Sequence, residues 1–432
     1  MRLVRPQKVK LVETTTLHTA PSAASTRLPS LPRNIRWYYL LEAGTSTGFI
    51  MGNWIFFWLR YMTYGQLGLI DGLIFGFGMF MEIPTGALSD MLGKRRTLVA
   101  AMGCVVIGTL IMATTNSLEQ LVIGFLIQQI GWAFHSGASE AFAYESLKEH
   151  GLESEYPRVI SRSHMIGTVV FITTTLLGGG LYLLHFRLPH FAWALAYGVS
   201  LIAALLIREP RITHTADTPL HPLSLGSFVR QITDGVQQLR VPALRPYMLL
   251  IFVVSGVYTL YIVGLVQPAL GVSFGFDAAA QSIITVLSGI ISAGTLAMLP
   301  TLSRRLGDRR GLLLIAFGIG FAWLLAAFPL GAFGLAVMLL IRLAGDLSRP
   351  WISMIVNQHI ESRARATALS AIALMSKIPY VVTAAIAGQL IEGGVLWAFN
   401  LGLGLMVMAA IVIAVVAAMR VRAERSMPAP SS

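Results

Sequence analysis

Eight ionisable side chains stand inside otherwise apolar stretches: Glu42, Asp71, Glu82, His135, Glu140, Arg342, Asp346 and Lys377. An ionisable group in hydrocarbon costs about 2.5–3.5 kcal/mol even on lenient insertion scales, so it faces a protein interior where it has a partner or a task. Glu42 sits in Leu40-Leu41-Glu42-Ala43-Gly44-Thr45 and suits the uptake and release of protons, or a paired structural acid. Asn53, eleven residues on, falls three helical turns away and would share the face of Glu42. Asp71 lies one turn inside the end of its stretch, placed to seal a gate or to meet water. His135 reads as a satisfied interior histidine or a cavity group that titrates near neutrality. Arg342 and Asp346 are four apart and share a helix face, as an internal ion pair or with Arg342 free to hold an anion. Lys377, followed by Pro379, would pair with Asp346 or Glu140 across helices, or bind an anion.

No closely spaced nucleophile and base, no metal-ligand cluster and no phosphate-binding loop accompanies these residues. An enzyme, a metal site, a cofactor and ATP hydrolysis are therefore not expected. A repeated channel filter is also missing.

The elements that must position them follow from composition. Of 432 residues, 55% are hydrophobic, 12% are charged and 41 are glycine. Mean hydropathy is +0.70. A soluble chain with so few charges would expose large apolar patches, and a single cysteine, Cys104, cannot pair within the chain. An all-α polytopic membrane protein remains. Apolar segments of about 20 residues fall at roughly 37–58, 66–89, 97–115, 119–144, 162–184, 191–207, 244–268, 281–301, 311–328, 331–351, 366–390 and 394–419. They are continuous runs, unlike the alternating strands of a β-barrel.

The net charge of +12 comes from 32 basic and 20 acidic residues, and its placement points to topology rather than nucleic acid. Residues 1–36 carry seven basic residues and one acid. Loops after even-numbered segments hold Lys94, Arg95 and Arg96; Lys148, Arg158 and Arg162; Arg208, Arg211, Arg230 and Arg240; and Arg304, Arg305, Arg309 and Arg310. Loops after odd-numbered segments hold only Arg60 and Arg187. That asymmetry places both termini in the cytoplasm of a cell inner membrane. The chain divides into an N-terminal tail (1–36), a six-helix bundle (37–207), a linker (208–243), a second six-helix bundle (244–419) and a C-terminal tail (420–432). Leu225, Phe228, Val229, Ile232, Val236 and Leu239 recur at helical spacing in the linker and predict an amphipathic surface helix.

The loop Gly86-Ala87-Leu88-Ser89-Asp90-Met91-Leu92-Gly93-Lys94-Arg95-Arg96 resembles the Gly-x-x-x-Asp-x-x-Gly-Arg/Lys-Arg/Lys signature of the major facilitator superfamily. The loop 302–310 is similar to its weaker second-half echo, with Pro300 where Gly86 would map and Arg304 where Asp90 would. Locally, Gly86 allows close helix approach, Gly93 a tight turn, and Lys94 to Arg96 an anchor at anionic lipid. The resemblance implies a twelve-helix fold, two six-helix bundles around a central cavity. It also implies that Asp90 belongs to a charge network closing the cytoplasmic side, with Arg95, Glu145, and Arg363 or Arg365. Two departures stand out. Ile127 occupies the place of the family's usual span-four arginine. Span five keeps glycines of the antiporter signature (Gly167, Gly178 to Gly180) without its proline.

These features imply a monomeric secondary transporter working by alternating access on a small-molecule substrate, with protons and the lipid bilayer as its other partners. The resemblance tilts the expectation toward proton-coupled efflux of small amphipathic or organic molecules. A proton-coupled importer of a small organic anion, using Arg342 and Lys377, is the alternative. A passive transporter or a lipid and amphiphile translocator is a third.

Overall fold

The computed structural model describes residues 31–211, 244–359 and 362–426, all helices and short connections. The first part holds α1 (Arg33–Thr45), α2 (Trp54–Trp58), α3 (Tyr64–Leu92), α4 (Lys94–Ala113), α5 (Leu118–Lys148), α6 (Tyr156–Leu184) and α7 (Leu188–Leu206). The second holds α8 (Arg245–Ile262), α9 (Val266–Ser273), α10 (Ala278–Ala297), α11 (Leu299–Leu325), α12 (Gly334–His359), α13 (Ser362–Glu392) and α14 (Leu396–Ser426). Eight of the described helices contain stretches long and apolar enough to cross a membrane. Large apolar side chains such as Leu73, Leu195 and Val412 point outward. In water they would be sticky; in lipid they are at home. The amphipathic helix expected within 208–243 lies outside the described residues.

Local chemistry sets the helix ends. Thr63 and Gln66 form a reciprocal capping box at the start of α3. Ser117 caps α5 and Asp277 caps α10 through their side-chain oxygens. Proline occupies one of the first two positions of α6, α7, α8 and α11, where its missing N–H is not needed.

Three expected segments differ from the structure. The stretch 37–58 is not one helix. Regular helix ends at Thr45, and residues 46–53 are irregular before the short α2. Two threonine hydroxyls bond back to local carbonyls there, Thr45 to Glu42 and Thr47 to Gly44, and the Gly48 N–H donates to Thr174 of α6. A side chain at Gly178 of α6 would run into the Phe49 carbonyl, so this glycine admits the irregular backbone. The segment near 244–268 is likewise divided at Val263 to Leu265, with Gly264 at φ +73°. The basic stretch 302–310, expected as a loop, is helical on both sides of a tight break at Gly307 (φ 66°), where two helices meet within the span labelled α11.

Helices before residue 211 pack mostly on one another, as do those after 244. The two sets meet most extensively along α3 with α13 and α6 with α10. The α3 seam brings Gly65, Gly68 and Gly72 against Glu392, Ala384 and Val381, and the α6 seam brings Gly179 against Ser282. These contacts sit at the helix ends remote from the basic turn Lys94–Arg96. Small residues allow such close approach where no hydrophobic force draws helices together.

Candidate functional site

The last turn of α1 carries Glu42, and α5 presents His135 and Ser139, four apart and on one face. Ser139 donates to Glu42 Oε1, and His135 Nε2 lies 3.0 Å from the same oxygen. Trp132 stands edge-on to the imidazole, with ring centres 5.4 Å apart. Glu42 and His135 are both mostly withdrawn from solvent. A buried carboxylate is costly unless it is hydrogen-bonded, and here two α5 side chains converge on one of its oxygens, Oε1. A carboxylate sharing a hydrogen bond with an imidazole is an arrangement that can take up or give away one proton.

In the second set of helices, Asp346 of α12 collects three donors. Arg342 Nε reaches its Oδ2 at 2.7 Å, Ser292 Oγ of α10 reaches the same oxygen at 2.5 Å, and Tyr258 of α8 donates to Oδ1. The guanidinium of Arg349 lies over the Tyr258 ring, 5.5 Å from its centre. The pairing of Arg342 with Asp346 follows from their spacing on α12. Tyr258 and Ser292 could not be read from it. Arg342 uses Nε for Asp346, and its two terminal nitrogens make no hydrogen bond among the described residues. Its side chain is one-quarter exposed.

The other candidates are placed as follows. Asn53 is fully buried in the irregular segment, its amide donating to the Phe49 carbonyl at 2.8 Å. It does not share a helical face with Glu42, because regular helix stops at Thr45 and the three-turn spacing does not carry across. Asp71 faces neither water nor lipid: it is buried on α3 and accepts from the Tyr380 hydroxyl of α13. Glu140 is exposed on α5, and Tyr156 reaches it at 3.5 Å. Lys377 is half-buried on α13, three residues before Tyr380.

The turn between α3 and α4 is held against the end of α7. Gly93 takes φ +86°. The carboxylate of Glu209, just beyond α7, accepts from the backbone N–H groups of Lys94 (2.7 Å) and Arg95 (2.8 Å) and so caps α4. Arg95 returns the favour, its guanidinium donating to the carbonyls of Ile207 (2.9 Å) and Leu205 (3.0 Å) at the end of α7. Asn34 grips the backbone of Arg208 through both its amide atoms and donates to Ser146 of α5. Arg95 is thus engaged with α7 carbonyls. Glu145, Lys94, Arg95 and Arg96 line one cleft with Glu209. Asp90, Arg363 and Arg365 lie on α3 and α13, but their side chains, with the flank of Gly86, are outside the described residues.

Glu209 and Asn34 had no signal beyond a polar residue at a helix end. Tyr380, Tyr258 and Ser292 had none at all, since an isolated hydroxyl in an apolar stretch is unremarkable.

Its long apolar helices, with large apolar side chains turned outward, define an α-helical, multi-pass integral membrane protein. Residues 39–379 match the model of the Major Facilitator Superfamily, and the chain belongs to that family. It is 27% identical over 284 residues to the tetracycline resistance protein, class G, of Vibrio anguillarum, a match covering 64% of this chain and 68% of that one. Among solved structures it is similar to the nucleoside transporter NupG, at TM-score 0.63 and 16% identity, covering 89% of this chain and 97% of that one. It is also similar to the human organic anion transporter MFSD10 (TETRAN), at TM-score 0.56 and 16% identity over 89% and 100% of the two chains. The protein is a secondary-active transporter of small molecules working by alternating access, not an enzyme.

Proposed function

We propose that the chain couples the uptake of a small organic anion to protons, with twelve spans forming two six-helix bundles around a central cavity. In this reading α1 with α2, and α8 with α9, each make one broken span. The turn Lys94–Arg96 and both termini face the cytoplasm of a bacterial inner membrane. The contacts of α3 with α13 and of α6 with α10 then close the outer side, so the conformation opens inward. The observation that carries the anion reading is Arg342: it meets Asp346 through Nε alone, its two terminal nitrogens make no hydrogen bond among the described residues, and its side chain is one-quarter exposed. A guanidinium with free terminal nitrogens suits a carboxylate or phosphate. Lys377 on α13 adds a second positive charge on the same set of helices. The pair Glu42 and His135 is the proton site, loaded on one side and emptied on the other as access alternates. The similarity to an organic anion transporter supports the same class of substrate.

The test is uptake into proteoliposomes from a panel of radiolabelled organic carboxylates and phosphates, with and without an inward proton gradient. The expected result is one class accumulated when the outside is acid. Arg342→Ala abolishes that accumulation, while Glu42→Gln leaves counterflow but removes the response to the gradient. Accumulation that ignores the gradient, or survives Arg342→Ala, refutes the reading.

A second reading, efflux of amphipathic molecules, is favoured by the similarity to a tetracycline resistance protein. It predicts extrusion of lipophilic compounds from preloaded vesicles, driven by the same inward proton gradient and indifferent to Arg342→Ala.

A further inference from the structure

The mechanism above leaves one buried acid without a task. Asp71 lies in the first third of α3, where α3 packs on α13 at the face remote from Lys94–Arg96. It is buried, and its Oδ2 accepts from the hydroxyl of Tyr380, itself fully buried on α13. The two residues are 309 positions apart and come from the two sets of helices. A third element closes over them. Gly264, in the break between α8 and α9, stands at φ +73°, and a side chain there would strike both the Tyr380 hydroxyl and Asp71 Oδ2. One turn or more further out, the Glu392 carboxylate of α13 accepts from the Gly65 N–H of α3 at 2.7 Å.

A carboxylate enclosed this way has given up its water, and the Tyr380 hydroxyl is what replaces it. The seam can therefore close over Asp71 only in the register that puts Tyr380 opposite and a glycine at 264. We infer that Asp71, Tyr380 and Gly264 form a latch that holds this face shut, Tyr380 being the residue that makes closure over the acid affordable. The inference rests on the alternating-access reading but on no particular substrate. It survives if the anion reading fails.

The experiment measures the seam directly, without ligand. Spin labels are placed at Glu119→Cys and Gly393→Cys in a Cys104→Ser background, on the closed face of the two helix sets. Distances are read by double electron–electron resonance on the full-length protein in nanodiscs. The parent is expected to show a dominant short distance. Tyr380→Phe leaves the acid without its donor and is expected to shift the short-to-long ratio roughly 10- to 100-fold toward long, the scale of losing a hydrogen bond to a charged group. The double variant Asp71→Leu with Tyr380→Phe removes both polar partners and is expected to return the short distance. Gly264→Ala, which keeps both side chains but drives a methyl into them, is expected to open the seam as well and serves if Tyr380→Phe does not fold. An unchanged distribution in Tyr380→Phe or Gly264→Ala overturns the latch. So does a double variant as open as the single one, which would mean the acid is not what needs the hydroxyl.

Discussion

The reciprocal cap between α4 and α7 makes a quantitative demand on Glu209. Its two carboxylate oxygens take the N–H groups of Lys94 and Arg95 at 2.7 and 2.8 Å, so Glu209→Ala strips two donors at the start of α4. Loss of a side-chain cap costs about 1 kcal/mol, within a range of roughly 0.5–2. Removing a negative charge from a helix N-terminus adds about 0.3–1 kcal/mol, toward the low end here because Glu209 is exposed. The sum is about 1.5–2 kcal/mol, or roughly 5 °C in melting temperature if the helices before residue 211 unfold together. Glu209→Gln keeps one acceptor oxygen and should lose about half as much. Gly93→Ala should match or exceed Glu209→Ala, because it imposes strain at φ +86° and places a methyl against the carboxylate. The assay is thermal unfolding in detergent together with amide exchange at residues 94–97, where exchange should accelerate before any other part of α4. An unchanged melting temperature and unchanged exchange in Glu209→Ala would refute the cap as the force that positions this turn.

Three further outcomes follow from packing. Gly178→Val should destabilise by about 1–3 kcal/mol through its clash with the Phe49 carbonyl, whereas Gly180→Val, which meets open space, should leave the melting temperature where it is. His190 is fully buried against the Phe57 ring, centres 3.9 Å apart, with both ring nitrogens lacking a hydrogen bond among the described residues. His190→Phe should therefore raise stability by about 1 kcal/mol, and a fall in melting temperature would contradict that. Asp346→Ala should destabilise by about 2 kcal/mol because it leaves Arg342 without its partner, and Asp346→Leu combined with Arg342→Met should recover most of the loss, as read by the same melts.

The two polar clusters give the alternating-access cycle its physical content. Glu42 binds helices α1 and α5 within one set, and Asp346 binds α8, α10 and α12 within the other. Each cluster stays intact if the sets move as bodies. The bonds that cross between sets, from Tyr380 to Asp71 and from Gly65 to Glu392, are those that must break for the opposite face to open.

Much of this protein was legible in its residue order. Long apolar runs need lipid, and the turn at Gly93 to Arg96 carries the family's mark, because hydropathy, charge and backbone freedom are properties of short stretches. The pairing of Arg342 with Asp346 belongs with these, since helix geometry carries a side chain four residues to its neighbour. Asn53 shows where such reasoning stops: its link to Glu42 assumed a continuous helix, and hydroxyl back-bonding with a close glycine contact ended that helix at Thr45. What faces Glu42, Asp71, Asp346 and the start of α4 was decided only when helices packed. His135, Tyr380, Ser292 and Glu209 stand 93, 309, 54 and 115 residues from their partners. No local periodicity reaches that far, and in lipid the choice of neighbour rests on which small residues let two backbones come close.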